Sequence, residues 1–504
     1  MKTIRKPRGR GQQGVKRARR AKRGGARRGG GQRVRIGAPD LSLTAFSGLV
    51  AVSELVARLG VVEALDRAIG PIKERRRGHS AGELLVGLAS AQLAGEDFLV
   101  GLDRQRADVA GQGLAPVAGL CSTTAAGLAR RFAPEQFLAV EEGLATVGER
   151  MLAMAPPRRQ EVLTGRATID LDTTDVEVYG HSKQGVAYNY QGQRCGRPHV
   201  AIWAQSETPL AADLMAGDQD PRSHAVDLLG RALDGLPGPV RASAGIDLRA
   251  DAGYFAGDLA RAAHGHGIGF AIGAKRIAPL WRLLGGIAED AWTDAHGMDA
   301  AQVAVAGYRP AAWPPGTSLL IRRRLLDIEQ VSADPRSRRR RTLHPDQRVL
   351  PLAQLEAADA IYAYSFILTN LDVATPAQSA AVEHWYRHRT TIENVFKDTK
   401  HGAGLRHLPS GYAQVNTAWM WAALLAAAIA AWLHQLTATV ASTGALAGHG
   451  TRAGKAMIAT LRHRLIRVPA RLVRHAGQLT LRLPPERDLL AEILARLRAL
   501  PTLP

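Results

Sequence analysis

From Ala167 the chain carries three short apolar runs in succession, ATIDLDTT, PHVAIWAQ and TPLAADLMAG, each bounded by turn residues. Runs of that length and composition predict three consecutive strands. The pattern then alternates. DPRSHAVDLLGRALDGLPG predicts a helix, SAGIDLRAD a fourth strand, YFAGDLARAAHGHG another helix and IGFAIGA a fifth strand. Strands followed by strand and helix in turn predict an α/β fold, a mixed sheet flanked by helices.

Between Lys275 and about Ala360 the alternation stops at a long Arg-rich, Pro-containing segment, within which VAVAGYRPAAW and TSLLIRRRLLDI are predicted strands. YAYSFILTNLD leads back to the core, and Thr375-Pro376 opens a helical approach to the next stretch. That stretch, AVEHWYRHRTTIENVFKDTK from Ala381 to Lys400, lacks Gly and Pro and is predicted as one helix. At about 100° per residue, Tyr386, Arg389, Glu393 and Lys400 fall within an arc of about 60°. Trp385, Ile392, Val395 and Phe396 form an apolar stripe beside it, suited to packing on a sheet. A carboxylate flanked by cations and a phenol is thereby held on a rigid element. A solvated face with i, i+4 ion pairs is the ordinary alternative for such a helix.

The spacing Y-x2-R-x3-E-x6-K decides between the two, because four fixed residue types at three fixed gaps rarely coincide. The chain resembles the cut-and-paste group of bacterial insertion-sequence DDE transposases, which share this motif. The resemblance covers about Ala167 to Ala430. It implies a ribonuclease H-like catalytic core, with the β-rich insertion placed before the Glu-bearing helix and a helical domain ahead of the core. It also implies three acids around metal ions: Asp172 in D-L-D-T-T, Asp251 in L-R-A-D-A-G-Y-F, and Glu393. Asp170, two residues earlier on the same strand face, is the fallback for the first. Converging carboxylates suit a pair of Mg²⁺ ions, with Mn²⁺ as a possible substitute, that activate the attacking and leaving oxygens of a phosphodiester.

In the resembling transposases the counterparts of Tyr386, Arg389 and Lys400 contact phosphates of the element end. The chemistry agrees, since Arg grips phosphate with two hydrogen bonds and Lys supplies a point charge. Trp281, Trp292 and Trp313 lie in the insertion, where some relatives stack a flipped base on an aromatic ring. Core packing is the ordinary alternative for each. His384 and His388 are spaced i, i+4 but lack the H-E-x-x-H context of a zinc site, so packing or DNA contact is expected of them.

The net charge of +21 points to a polyanionic partner, nucleic acid before membrane. Fifteen Lys and Arg precede Ile36 and no acid precedes Asp40, so the remainder carries about +6. That Gly- and Arg-rich arm is expected to be disordered and to hold DNA non-specifically. Helical patterns run from Leu41 to about Leu152, with Ser80 and Ser122 placed as N-caps. The segment from Ser122 to Phe132, carrying Arg130 and Arg131, is a candidate DNA-recognition helix. ARLVRHAGQLTLRLP predicts a hairpin, and LLAEILARLRAL an amphipathic helix that either mediates dimer contacts or closes the core. TAWMWAALLAAAIAAWL approaches a membrane span in length, but its Ala content predicts a buried core helix. Two cysteines, Cys121 and Cys195, are too few for a disulfide framework.

The expected organisation is a disordered basic arm at 1–39 and a helical DNA-end-binding domain at 40–160. A catalytic core at 161–275 and 361–440 is split by a β-rich insertion at 276–360. A basic and helical region at 441–504 serves DNA contact or dimerisation. The reading implied by the resemblance is Mg²⁺-dependent cleavage at terminal inverted repeats and joining of 3′-hydroxyl ends to target DNA, by a homodimer assembled on double-stranded DNA in the bacterial cytoplasm. Two alternatives stay open: a degenerate copy that binds DNA and represses, and a ribonuclease H-like nuclease without strand transfer.

Overall fold

The computed structural model describes residues 34–75, 77–243, 245–326, 361–440 and 455–501, with two-residue strands at 331–332, 341–342 and 446–447. The arm expected at 1–39 lies outside the described residues up to residue 33, as does most of 327–360. Residues 1–40 form one unit, of which 34–40 carry neither helix nor strand; residues 41–504 form a second.

The second unit begins with helices α1 (Leu49–Leu59), α2 (Val61–Ile69), α3 (Ala81–Ala94), α4 (Ser122–Ala129) and α5 (Pro134–Met154). Ser80 caps α3 as expected: its side chain accepts from the Glu83 N–H, and Glu83 answers to the Ser80 N–H in a capping box. Ser122 does not cap α4. It is the first helical residue, the cap position belongs to Cys121, and the Ser122 N–H donates to the Asp103 carboxylate at 3.0 Å. The Ser122 hydroxyl also donates to the Asp103 carboxylate, so the side chain that would cap is engaged there.

The strands are β1 (Ala167–Thr173), β2 (Arg194–Trp203), β3 (Thr208–Ala216), β4 (Ile246–Ala250), β5 (Gly269–Gly273), β6 (Ala301–Ala306), β7 (Ser318–Leu326) and β8 (Ile361–Thr369). Helix α6 (Ala225–Gly235) joins β3 to β4, and α7 (Gly257–Gly265) joins β4 to β5. Direct connections give antiparallel pairing of β1 with β2 and of β2 with β3. Helical crossovers give parallel pairing of β1 with β4 and of β4 with β5, as the geometry of such connections requires. The order is therefore β3-β2-β1-β4-β5, and it continues through β8, β7 and β6, each antiparallel to its neighbour. The strands of the insertion thus extend the core sheet instead of standing apart, and eleven strands share one hydrogen-bonded network.

The stretch from Ala381 to Lys400 is not one helix. It divides into α8 (Pro376–Arg387) and α9 (Thr390–Gly402), with His388 and Arg389 between them. At the joint the His388 ring engages the His384 carbonyl at 2.6 Å, and the Arg249 guanidinium donates to the Trp385 carbonyl at 2.5 Å. The N–H groups of His388 and Arg389 turn to carbonyls three residues back, at 3.2 and 3.1 Å. The apolar stripe still packs: Ile392, Val395 and Phe396 are buried, and the Trp385 indole donates to Thr168 on β1.

Helix α10 (Ala413–Thr437) has a mean hydropathy of 1.4, enough in length and composition to cross a membrane, but 94% of that window is buried within the chain. It packs against α3, α5 and β3, as a core helix does. The hairpin of Ala470–His475 and Gln478–Arg482 forms where expected. The last helix, α11 (Asp488–Ala499), buries Leu490, Ile493 and Leu497 and packs on α1 and α10, which favours core closure.

Candidate active site

Parallel pairing of β1 with β4 sets Leu171 beside Ala250, so the next residues, Asp172 and Asp251, leave adjacent strands at the same end of the sheet. Asp251 turns there: its side chain accepts from the Gly253 N–H at 2.8 Å, capping a short helical turn. Asp172 accepts the Thr173 N–H at 2.7 Å and an Arg389 N–H at 2.8 Å. Arg389 also donates to Glu393 at 3.3 Å, which ties the third acid to the first. Residues far apart in sequence are thereby assembled around one guanidinium, which the helix break carries toward β1.

Burial pushes the Asp172 carboxyl up to about 6; Arg389 opposes that rise and the negative charge of Asp251 adds to it. Glu393 is the most open of the three, with 56% of its side chain exposed against 14% for Asp172. Tyr386 donates its hydroxyl to the Ala250 carbonyl at 3.2 Å, immediately before Asp251, and burial raises its phenol to about 12. Room for that ring depends on Gly273: a Cβ there would stand 2.7 Å from the Tyr386 hydroxyl and 2.8 Å from the Ala252 nitrogen. Lys400 donates to the Asp175 carbonyl at 2.7 Å, three residues beyond Asp172.

Asp170, the fallback for the first acid, is engaged elsewhere. It is fully buried and receives two hydrogen bonds from Arg249, at 2.6 and 2.8 Å, across the β1–β4 pairing. Such a forked pair fixes strand register and leaves Asp172 as the acid facing the open end. Arg249 was legible only as a cation in the middle of a buried strand, where some partner must neutralise it. The core also hides His199 and Tyr254, stacked 5.7 Å apart, with no hydrogen-bond partner for either ring nitrogen or the phenol. Burial lowers His199 to about 3, so it sits there neutral.

The other expected contacts separate from the acids. Arg130 and Arg131 are exposed just past α4, and Arg130 stacks over the Tyr412 ring at 4.0 Å. Trp281, Trp292 and Trp313 are buried in the core, so none presents a face for a base. His384, half-buried, and His388, exposed, lie with ring centres 4.3 Å apart and bond backbone carbonyls.

Three carboxylates without sulfur or imidazole are the donor set that Mg²⁺ selects, and a cation would relieve the cost of the buried Asp172 charge. The donor chemistry fits. Among the described residues, however, no group of three or more His, Cys, Asp or Glu side chains is close enough to hold a metal ion. The Arg389 guanidinium fills the interval between Asp172 and Glu393 instead, already supplying the positive charge.

Carboxylates thus stand at the ends of adjacent parallel strands and on a following helix, with Arg389 and Lys400 beside them. The family model described as "Transposase DDE domain group 1" matches residues 27–502, and the chain belongs to that family. A comparison with curated proteins gives no match. Among solved structures, the piggyBac transposase synaptic complex with hairpin DNA is similar at 8% identity and a TM-score of 0.34, over 74% of this chain and 73% of that one.

Proposed function

We propose that this DDE-family transposase cuts the ends of an insertion sequence of the Y-x2-R-x3-E-x6-K group and joins the 3′-hydroxyl ends to target DNA. The observation that carries the reading is the convergence of Asp172 and Glu393 on Arg389, with Asp251 beside Asp172 on the neighbouring strand. The strand order β3-β2-β1-β4-β5, with two antiparallel pairings followed by two parallel ones, supports a ribonuclease H-like core.

Asp172, Asp251 and Glu393 would hold two Mg²⁺ ions, or Mn²⁺ in their place. Bound there, the ions supply activation of the attacking oxygen and stabilisation of the leaving oxygen. Tyr386 holds the backbone before Asp251, and so the direction of that carboxylate. Arg389 keeps the acids together while uncompensated, and a DNA phosphate is the natural competitor for its five donors. Lys400 adds a cation on the same side, beside Asp175. The DNA is double-stranded, bearing terminal inverted repeats, and a homodimer assembled on it brings two ends together in the bacterial cytoplasm.

The test is cleavage of a duplex carrying the genomic flank of the element, with Mg²⁺, by the parent, Asp172→Asn, Asp251→Asn and Glu393→Gln. The variants should lose cutting while still binding the duplex, and the parent should also yield 3′-joined products. Equal cutting by all four removes the site. Cutting without joining reduces the protein to a nuclease, and binding without cutting by the parent reduces it to a repressor.

A further inference from the structure

Arg389 and Lys400 both stand near the acids, but they are spent differently. Lys400 donates to the backbone carbonyl of Asp175, an uncharged acceptor. Arg389 sends one terminal nitrogen to Asp172 at 2.8 Å and the other to Glu393 at 3.3 Å. The side chains of Arg389 and Asp172 are each only 14% exposed, so water and salt screen this pair little. Both tips of the guanidinium fork are thereby committed, one to each acid. A phosphate that takes the same end-on grip displaces the two carboxylates.

The same contacts stand against a divalent cation. An ion held by Asp172 and Glu393 would share their interval with the guanidinium, and a double positive charge repels a single one twice as strongly as two single charges repel each other. With Arg389 in place, no group of three or more His, Cys, Asp or Glu among the described residues is close enough to hold a metal ion. Phosphate and cation are therefore opposed by one pair of ion pairs. Whichever ligand breaks that pair lowers the cost of binding the other, which is positive coupling between two sites through a shared contact. A phosphate breaks it at least cost, because it offers the fork two acceptor oxygens in exchange for the two it gives up.

We infer that Arg389 is an internal counter-ion that makes metal loading depend on DNA: off DNA it holds Asp172 and Glu393 closed to divalent ions, and a phosphate of the bound strand draws it away and opens them. The inference rests on the transposase reading and adds to it a regulation of the same acids. The free protein is then a poor metal binder, and the acids are loaded only where DNA is already seated. Lys400, resting on an uncharged carbonyl, adds affinity for DNA and takes no part in the closure.

The experiment measures ion binding by the full chain rather than cutting. Mn²⁺ is titrated and its free fraction read by electron paramagnetic resonance, with and without a duplex of the genomic flank whose scissile bridging oxygen is replaced by methylene, so that it is bound but not cut. The parent should bind Mn²⁺ about tenfold to a hundredfold more tightly with the duplex, and the duplex should bind more tightly in Mn²⁺ by the same factor. Arg389→Gln should bind Mn²⁺ more tightly than the parent when no duplex is present, and its coupling factor should be at least about fivefold smaller. Arg389→Lys, a point charge without the fork, should fall between the two. Lys400→Ala should weaken duplex binding and leave Mn²⁺ binding by the free chain as it is in the parent. Mn²⁺ affinity of the parent that ignores the duplex overturns the inference. Full coupling in Arg389→Gln also overturns it, because the DNA's own oxygens would then account for the effect, and so does a change in free-chain Mn²⁺ binding as large from Lys400→Ala as from Arg389→Gln. If the parent binds neither duplex nor Mn²⁺, the transposase reading falls as well; if it cuts an unmodified flank duplex but shows no coupling, only the role of Arg389 as counter-ion falls.

Discussion

Replacing Asp172 with Asn should yield a protein that is catalytically dead and, at neutral pH, more stable than its parent. The carboxyl moves from its ordinary 3.8 to about 6 on folding, chiefly because it is buried. At 1.36 kcal/mol per tenfold change in proton affinity, the ionised form costs the folded state about 3 kcal/mol relative to the neutral one. Asn is neutral at every pH, but its amide gives up one of the two acceptors that serve the Thr173 N–H and Arg389, a loss of about 1 kcal/mol. The net expectation is a gain of about 2 kcal/mol near pH 7.

The sign follows from linkage. A carboxyl raised on folding binds its proton more tightly in the native state, so the parent loses stability as pH climbs from about 4 to about 6. Below about pH 4 the parent is neutral as well, the gain disappears, and the lost acceptor leaves the variant weaker by about 1 kcal/mol. Denaturant unfolding of both proteins without divalent ions, across this pH range, reads the crossing. A variant weaker than its parent by the same amount at both ends of the range refutes the argument, because Asp172 would then be a structural acid at rest in its site.

Two further outcomes follow from the neighbouring cations. Arg249→Leu strands the fully buried Asp170 carboxylate without its forked partner and should cost about 3–5 kcal/mol, seen as a lowered denaturation midpoint. Arg389→Gln removes the guanidinium standing between Asp172 and Glu393, so calorimetric titration with Mn²⁺ in the absence of DNA should show binding at least about tenfold tighter than in the parent; unchanged binding would mean that Arg389 does not occupy the cation's place.

The five strands and two crossover helices were legible because their apolar runs are short and their periods distinct: Ala167–Thr173 and Ile246–Ala250 match the runs that predicted them. Asp172 was readable as the acid at a strand end. What distinguished it from Asp170 was invisible, because that choice depends on Arg249 reaching across the sheet. The single helix over Ala381–Lys400 failed for a similar reason. Nothing local in W-Y-R-H-R-T breaks a helix, and the Arg249 side chain that meets the Trp385 carbonyl at the joint is distant in sequence.

The interruption after Arg387 gives the stretch from Tyr386 to Lys400 a knuckle. A straight rod would have locked the phenol, the guanidinium and the carboxylate into one spacing, so that shifting any of them dragged the rest along. With the joint at His388 and Arg389, the segment bearing Tyr386 stays pinned to the sheet while the one bearing Glu393 and Lys400 has its own bearing surface in Ile392, Val395 and Phe396.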